Sequence, residues 1–200
     1  YQPVEYTIES DWSAAATIMV AAAIAGEVTI KNISTLSRQA DTAICRALER
    51  AGASLIIEEN TITVAHRKLE AFEFDATQCP DLFPALVALA AAADGVSVIS
   101  GIGRLRGKES DRGEVLSAEY SKLGIDIELD YDADQMRVVG GPVTAAEVDS
   151  HDDHRIAMSL AITALRTDEK ITIRNQECVA KSYPSFFDDL ESLRAGYCDK

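Results

Sequence analysis

The sequence predicts an α+β domain built from three βαβαββ units, the third incomplete, with helices inside and sheets outside. Three observations carry that expectation. Three short β-type runs resemble one another: Val-Thr-Ile-Lys-Asn-Ile from residue 28, Val-Ser-Val-Ile-Ser-Gly from 96, and Ile-Thr-Ile-Arg-Asn-Gln from 171. Each follows an alanine-rich run, at 13–25, 81–94 and 154–167, whose apolar residues fill most of a helix circumference and so suit burial between sheets. Each of those runs follows a short strand-like alternation, at 4–8, 72–74 and 147–149.

In the first unit a second helix is expected over 40–52, closed by Gly52, because glycine is favoured just past a helix end. A hairpin over 54–64 follows, with Glu59 and Asn60 near its turn. The second unit repeats this with a helix over 111–124, closed by Gly124, and a hairpin over 125–139 turning near Ala133 and Asp134. The third has its second helix at 183–194 and then stops. The expected unit limits are about 1–70, 71–146 and 147–200, with no Pro/Gly/Ser-rich linker between them. Acidic alternation over 126–134 suggests a calcium loop at first sight. Counted from Asp130, however, the position that needs glycine is Gln135, and a hairpin with one solvated acidic face is the better reading.

Composition limits the function. Of 200 residues 47% are hydrophobic and 26% charged, which is globular and excludes disorder. Acids outnumber bases 33 to 19, a net charge of −14 that repels polyanions, so no nucleic-acid partner is expected. The longest apolar stretches, 14–25 and 84–93, are shorter than the ~20 residues of a membrane span, so no membrane partner is expected either. Cys45, Cys79, Cys178 and Cys198 form no C-x-x-C pair and read as reduced thiols of a cytoplasmic protein. The chain opens at Tyr1 without a methionine or a leader, which predicts a fragment of a longer protein.

Three clusters put charge at the start of a helix. Asp81, in Cys-Pro-Asp-Leu-Phe-Pro (79–84), precedes an almost uncharged helix and reads either as a cap or as a functional acid. Arg104, Arg106, Lys108 and Arg112 reverse the sign of the chain locally around Gly101, Gly103 and Gly107. That is either an anion site or a solvated loop whose charges pair locally, Lys108 with Asp111 and Arg112 with Glu109. His151-Asp-Asp-His-Arg155 opens the third alanine-rich helix, with Lys181 further on. Reading His151, Asp153 and His154 as a metal site fails on spacing, because neighbours at a helix start splay apart. Equivalent helices of equivalent units start at one end, so these clusters should share one rim. There, cations and helix dipoles suit a multiply charged anion, and paired carboxylates suit proton transfer.

Lys-Glu-Ser-Asp-Arg (108–112), Asp-His-Arg-Ile-Ala-Met (153–158), Cys-Val-Ala-Lys (178–181) and the helix starting at Asp81 together resemble the 5-enolpyruvylshikimate-3-phosphate synthase family, across essentially the whole chain but only the second part of that family's. The resemblance implies one domain of the two-domain enolpyruvyl-transferase fold, with the N-terminal partner domain absent. It implies transfer of the enolpyruvyl group of phosphoenolpyruvate to the 5-hydroxyl of shikimate-3-phosphate, without metal or organic cofactor. By the same resemblance Asp81, Glu109 and Lys181 are catalytic. Arg112, Arg155 and Lys181 bind phosphoenolpyruvate, Asp81, Lys108 and Arg104 meet shikimate-3-phosphate, and Asp153 and His154 support them. Arg104 and Gly107 depart from the family's usual residues, which puts the Arg104 contact in question. An enolpyruvyl transferase acting on a UDP-sugar and a non-catalytic anion-binding domain are the alternatives.

Overall fold

A computed structural model describes Pro3, Glu5 and residues 8–195, without the side chains of 194 and 195. The expected first strand, 4–8, falls largely outside the described residues, as does Cys198.

Along the chain come α1 (Trp12–Ala25), β1 (Glu27–Lys31), α2 (Ile44–Arg50), β2 (Ser54–Ile57), β3 (Thr61–Ala65), β4 (Glu73–Asp75) and α3 (Phe83–Ala92). Then follow β5 (Val96–Ser100), α4 (Arg112–Lys122), β6 (Asp126–Asp130), β7 (Gln135–Val139), β8 (Ala146–Asp149), α5 (His154–Thr163), β9 (Ile171–Arg174) and α6 (Phe186–Ala195). Among the described residues strands form three sheets ordered β1-β3-β2, β4-β5-β7-β6 and β8-β9. In the second, β4 and β5 are parallel and β5-β7-β6 antiparallel, which is the full β-α-β-α-β-β unit. Among the described residues the third sheet is the parallel pair β8-β9.

The alanine-rich helices form the core. α1, α3 and α5 pack against one another, and α3 is buried along its whole length apart from Ala92. Alanine lets the three approach closely, while Leu86, Val87, Ile156 and Leu160 fill the space between them. All three run the same way. At their trailing ends Arg166, just past α5, donates to the carbonyls of Ala91 and Gly141, and His66 bonds the carbonyl of Ala23 in α1. At the leading ends Arg155 of α5 reaches Asp81 beside α3. Gly140 is required where the chain leaves β7, since a Cβ there would sit 1.7 Å from the carbonyl oxygen of Ala93.

Several helices differ in detail from the sequence reading. Those expected over 40–52, 81–94 and 154–167 carry 3-10 turns, Ala40–Ala43, Pro80–Leu82 and Ala164–Arg166, at one end of a shorter α-helix. Prolines at 80 and 84 explain the second case. Neither donates a backbone N–H, so the chain enters α3 through a tighter turn. The 126–134 stretch forms the β6-β7 hairpin, turning through Asp134 in the left-handed region (φ 55°).

Candidate functional site

The rim charges close into one network around a buried guanidinium. Arg112, the first residue of α4, is 0% exposed. Its Nε donates to Asp153 Oδ2 at 2.7 Å, its Nη1 to Asp81 Oδ1 at 2.8 Å, and its Nη2 to Glu109 Oε2 at 2.6 Å. Each partner comes from a different segment, so this arginine ties the second and third units together. Asp153 is also 0% exposed and caps α5, accepting from the Arg155 amide at 3.0 Å, with Ser110 Oγ donating to it at 3.1 Å. A buried carboxylate survives only when so fully satisfied. Burial alone would raise its pKa, but Arg112 and the other donors outweigh that and hold it below the usual carboxylate range.

Asp81 is not a helix cap. Neither the turn Pro80–Leu82 that contains it nor the helix that follows has a side-chain cap bond, and its carboxylate points instead to three cations. Besides Arg112 it meets Lys108 Nζ at 3.2 Å and Arg155 Nη2 at 3.5 Å. Burial works to raise its pKa, and Arg155, Arg112 and Lys108 together depress it further than burial lifts it. The pairing of Lys108 with Asp111 weighed from sequence is replaced by this one, whereas that of Arg112 with Glu109 is present.

His154, at the start of α5, is buried, and its Nδ1 has no hydrogen-bond partner among the described residues. Burial, then the neighbouring Arg155, pushes its pKa down, which favours the neutral ring at pH 7. Lys181, in the 3-10 turn Gln176–Lys181, is exposed and donates to the Asp152 carbonyl at 2.7 Å, one residue from Asp153. Of the sequence candidates, Asp81, Lys108, Glu109, Arg112, Asp153 and Arg155 meet directly, with His154 and Lys181 adjoining. Arg104 stands apart: it is exposed in the turn Ile102–Leu105, and its side chain makes no hydrogen bond or ion pair among the described residues.

Sequence reasoning missed two buried acids. Asp41, in the turn before α2, accepts from Ser13 at the start of α1, and burial raises its pKa despite that bond and Arg155. Glu119 accepts from Lys122, His151 and the Asp149 amide. It lies in phase with Arg112, Leu116 and Tyr120 on the buried stripe of α4, and a charge in phase with an apolar stripe is the signal that would have found it. Among the described residues no group of three or more His, Cys, Asp or Glu is placed to hold a metal, and no helix is long and apolar enough to cross a membrane.

Residues 1–190 match the family model for EPSP synthase (3-phosphoshikimate 1-carboxyvinyltransferase). The chain belongs to the EPSP synthase family. It is 40% identical to the 3-phosphoshikimate 1-carboxyvinyltransferase of Clostridium perfringens (strain SM101 / Type A), over 96% of this chain and 46% of that protein. With the Methanocella arvoryzae protein of the same name it shares 41% identity over 98% of this chain and 46% of the other. Among solved structures, EPSP synthase from Acinetobacter baumannii superposes with a TM-score of 0.82 at 33% identity, covering 90% of this chain and 45% of that one. The enolpyruvyl transferase NikO from Streptomyces tendae, at 21% identity and a TM-score of 0.73, shares the fold. The chain thus spans about half the length of the curated relatives it matches.

Proposed function

We propose that this chain is one half of an EPSP synthase, and that with its other half it moves the enolpyruvyl group of phosphoenolpyruvate to the 5-hydroxyl of shikimate-3-phosphate, releasing phosphate. Family membership supports the reaction. The meeting of Asp81, Lys108, Glu109, Arg112 and Arg155 at one rim is the observation that carries the site. The alternative of a UDP-sugar acceptor has no comparable support, since the relatives above carry the shikimate name.

The proposed chemistry needs a base at the attacking hydroxyl, a proton donor at the methylene carbon, and cations for the substrate's carboxylate and phosphate. Asp81 takes the hydroxyl proton, and Glu109 with Lys181 moves the proton at the carbon that becomes a methyl group. Arg155 and Lys181 clamp phosphoenolpyruvate. Arg112 joins them only when Glu109 or Asp81 turns away, because its guanidinium is enclosed in the free chain. Lys108 faces the sugar phosphate with Asp81, Arg104 is a more distant contact to it, and Asp153 and His154 hold the frame. With three cations beside it Asp81 is a weak base. An anionic substrate that draws Arg155 and Lys108 away raises its pKa, so the substrate itself strengthens the base.

The same reading makes the isolated chain inactive, because closure of two domains completes such a site. Calorimetric titration with phosphoenolpyruvate, with and without shikimate-3-phosphate, tests binding. Activity is tested by supplying the first half of the Clostridium perfringens relative in trans. Turnover is expected only from the mixture, and is lost on Asp81→Ala or Lys181→Met. Robust turnover by this chain alone, or by a mixture carrying Asp81→Ala, overturns the proposal.

A further inference from the structure

Between β8 and α5 the backbone does something unusual. His151 (φ 51°) and Asp152 (φ 59°) are consecutive non-glycine residues in the left-handed region. Positive φ at both central residues is the pattern of a type I′ turn, and this one is closed by the Asp153 amide donating to the Ser150 carbonyl at 3.0 Å, but such turns favour glycine, asparagine and aspartate, so histidine at the first position carries strain. Such strain persists only where surrounding contacts enforce it.

Those contacts converge from two sides. Glu119, 2% exposed near the end of α4, receives His151 Nε2 at 3.0 Å on one carboxylate oxygen and the Asp149 amide at 2.8 Å on the other, while Lys122 Nζ donates to both. Asp149 in turn accepts from the His151 amide at 2.7 Å and from Asn175 at 2.9 Å. So Glu119 grips the turn at its entry, through Asp149, and at its first strained residue. The exit holds the functional atoms: the Asp152 carbonyl that accepts Lys181 Nζ, and Asp153, which receives Arg112 and caps α5.

The geometry points to Glu119 and His151 as positioning residues: they clamp the strained His151–Asp152 turn, which aims the Asp152 carbonyl at Lys181 and so sets where its ammonium stands. They touch no reacting atom. α4 thereby acts at the rim through both ends, with Arg112 at its start and Glu119 near its close. The functional weight of this inference rests on Lys181 belonging to the anion site proposed above, whereas the clamp itself does not.

Competitive acetylation of the 200-residue chain with a trace of acetic anhydride tests the clamp without any ligand. Mass spectrometry reads the labelling of Lys181 relative to exposed Lys170, and of Lys108, held by Asp81, relative to the same standard. His151→Ala keeps the strain and removes the grip, so the Lys181 ratio should rise two- to fivefold with the Lys108 ratio unchanged. His151→Gly removes the grip together with the strain at 151, because glycine adopts positive φ freely and aspartate at 152 tolerates it, and should return the Lys181 ratio to within about 1.5-fold of the parent. Glu119→Gln should behave as His151→Ala does. An unchanged Lys181 ratio in His151→Ala, equal ratios in the alanine and glycine variants, or a Lys108 ratio that rises alongside Lys181 each overturns the inference. If the ratios behave as stated but phosphoenolpyruvate binds none of these proteins, the clamp stands and the functional reading falls.

Discussion

Replacing Arg112 by methionine isolates the energetics of the rim. The substitution keeps most of the side-chain volume and removes the charge, leaving Asp153 buried at 0% exposure with only Ser110 and the Arg155 amide. Deleting one partner of a buried ion pair costs about 3–5 kcal/mol, because the other is stranded without solvent. Asp81 and Glu109, with side chains 37% and 41% exposed, recover water and add little. For a domain of this size that loss corresponds to a melting temperature lower by about 6–20 °C. Urea unfolding at pH 7 should show it, and Arg112→Met/Asp153→Asn should regain at least ~1.5 kcal/mol, since asparagine still caps α5 without a stranded charge. The pH dependence should also invert. In the parent, Asp153 is depressed, so its contribution is present above its unfolded pKa near ~4 and is lost as pH falls through the folded value. In Arg112→Met burial governs and raises it, so stability is lost as pH climbs through the folded value instead. The gap between the two proteins should therefore be widest near neutrality and shrink in acid. A loss under ~1 kcal/mol, or a double variant whose effects simply add, would refute the reasoning.

Arg155→Ala should weaken phosphoenolpyruvate binding at least about tenfold in calorimetry while leaving the fold intact, as expected for a charge-assisted bond at a partly exposed side chain. Gly140→Ala forces a Cβ to 1.7 Å from the Ala93 carbonyl oxygen and should destabilise by at least about 2 kcal/mol in chemical denaturation, so unchanged stability would mean that β7 does not cross α3 this closely. Burial pushes the Cys79 and Cys45 thiols up to about 11, so at pH 8 both should react with a disulfide reagent far more slowly than the same residues in urea.

Much of this fold is legible because burial is written into composition. Runs apolar on every side, such as α3, can only be interior, and the recurring β-type strings mark the sheets that cover them. Hairpin turns at Asn60 and Asp134 were readable from local chemistry. What escaped depends on which of two bonds a side chain prefers. Asp81 is cap or ion-pair acceptor with equal local sense, and only a guanidinium 31 positions away decides. Arg112 reads as one of four loop cations until the packing of α4 against α5 encloses it. Arg104 reads as part of the same basic cluster, yet its short turn leaves it in solvent. The positive φ at both 151 and 152 escapes because His-Asp stands where an Asn-Gly or Asp-Gly pair would have announced such a turn.

Consider, finally, how the ions at the rim sum. The carboxylates of Asp81, Glu109 and Asp153 match the ammonium of Lys108 and the guanidinium groups of Arg112 and Arg155 one for one, leaving Lys181, held by a neutral carbonyl, as the surplus. A cradle with one cation to spare suits a monovalent guest. Two multivalent guests together exceed its capacity, and the missing counter-charge has to arrive from a facing surface. On the function proposed above two such guests meet at this rim, so the balance falls to the other half of the enzyme, and separating the halves weakens the hold on both.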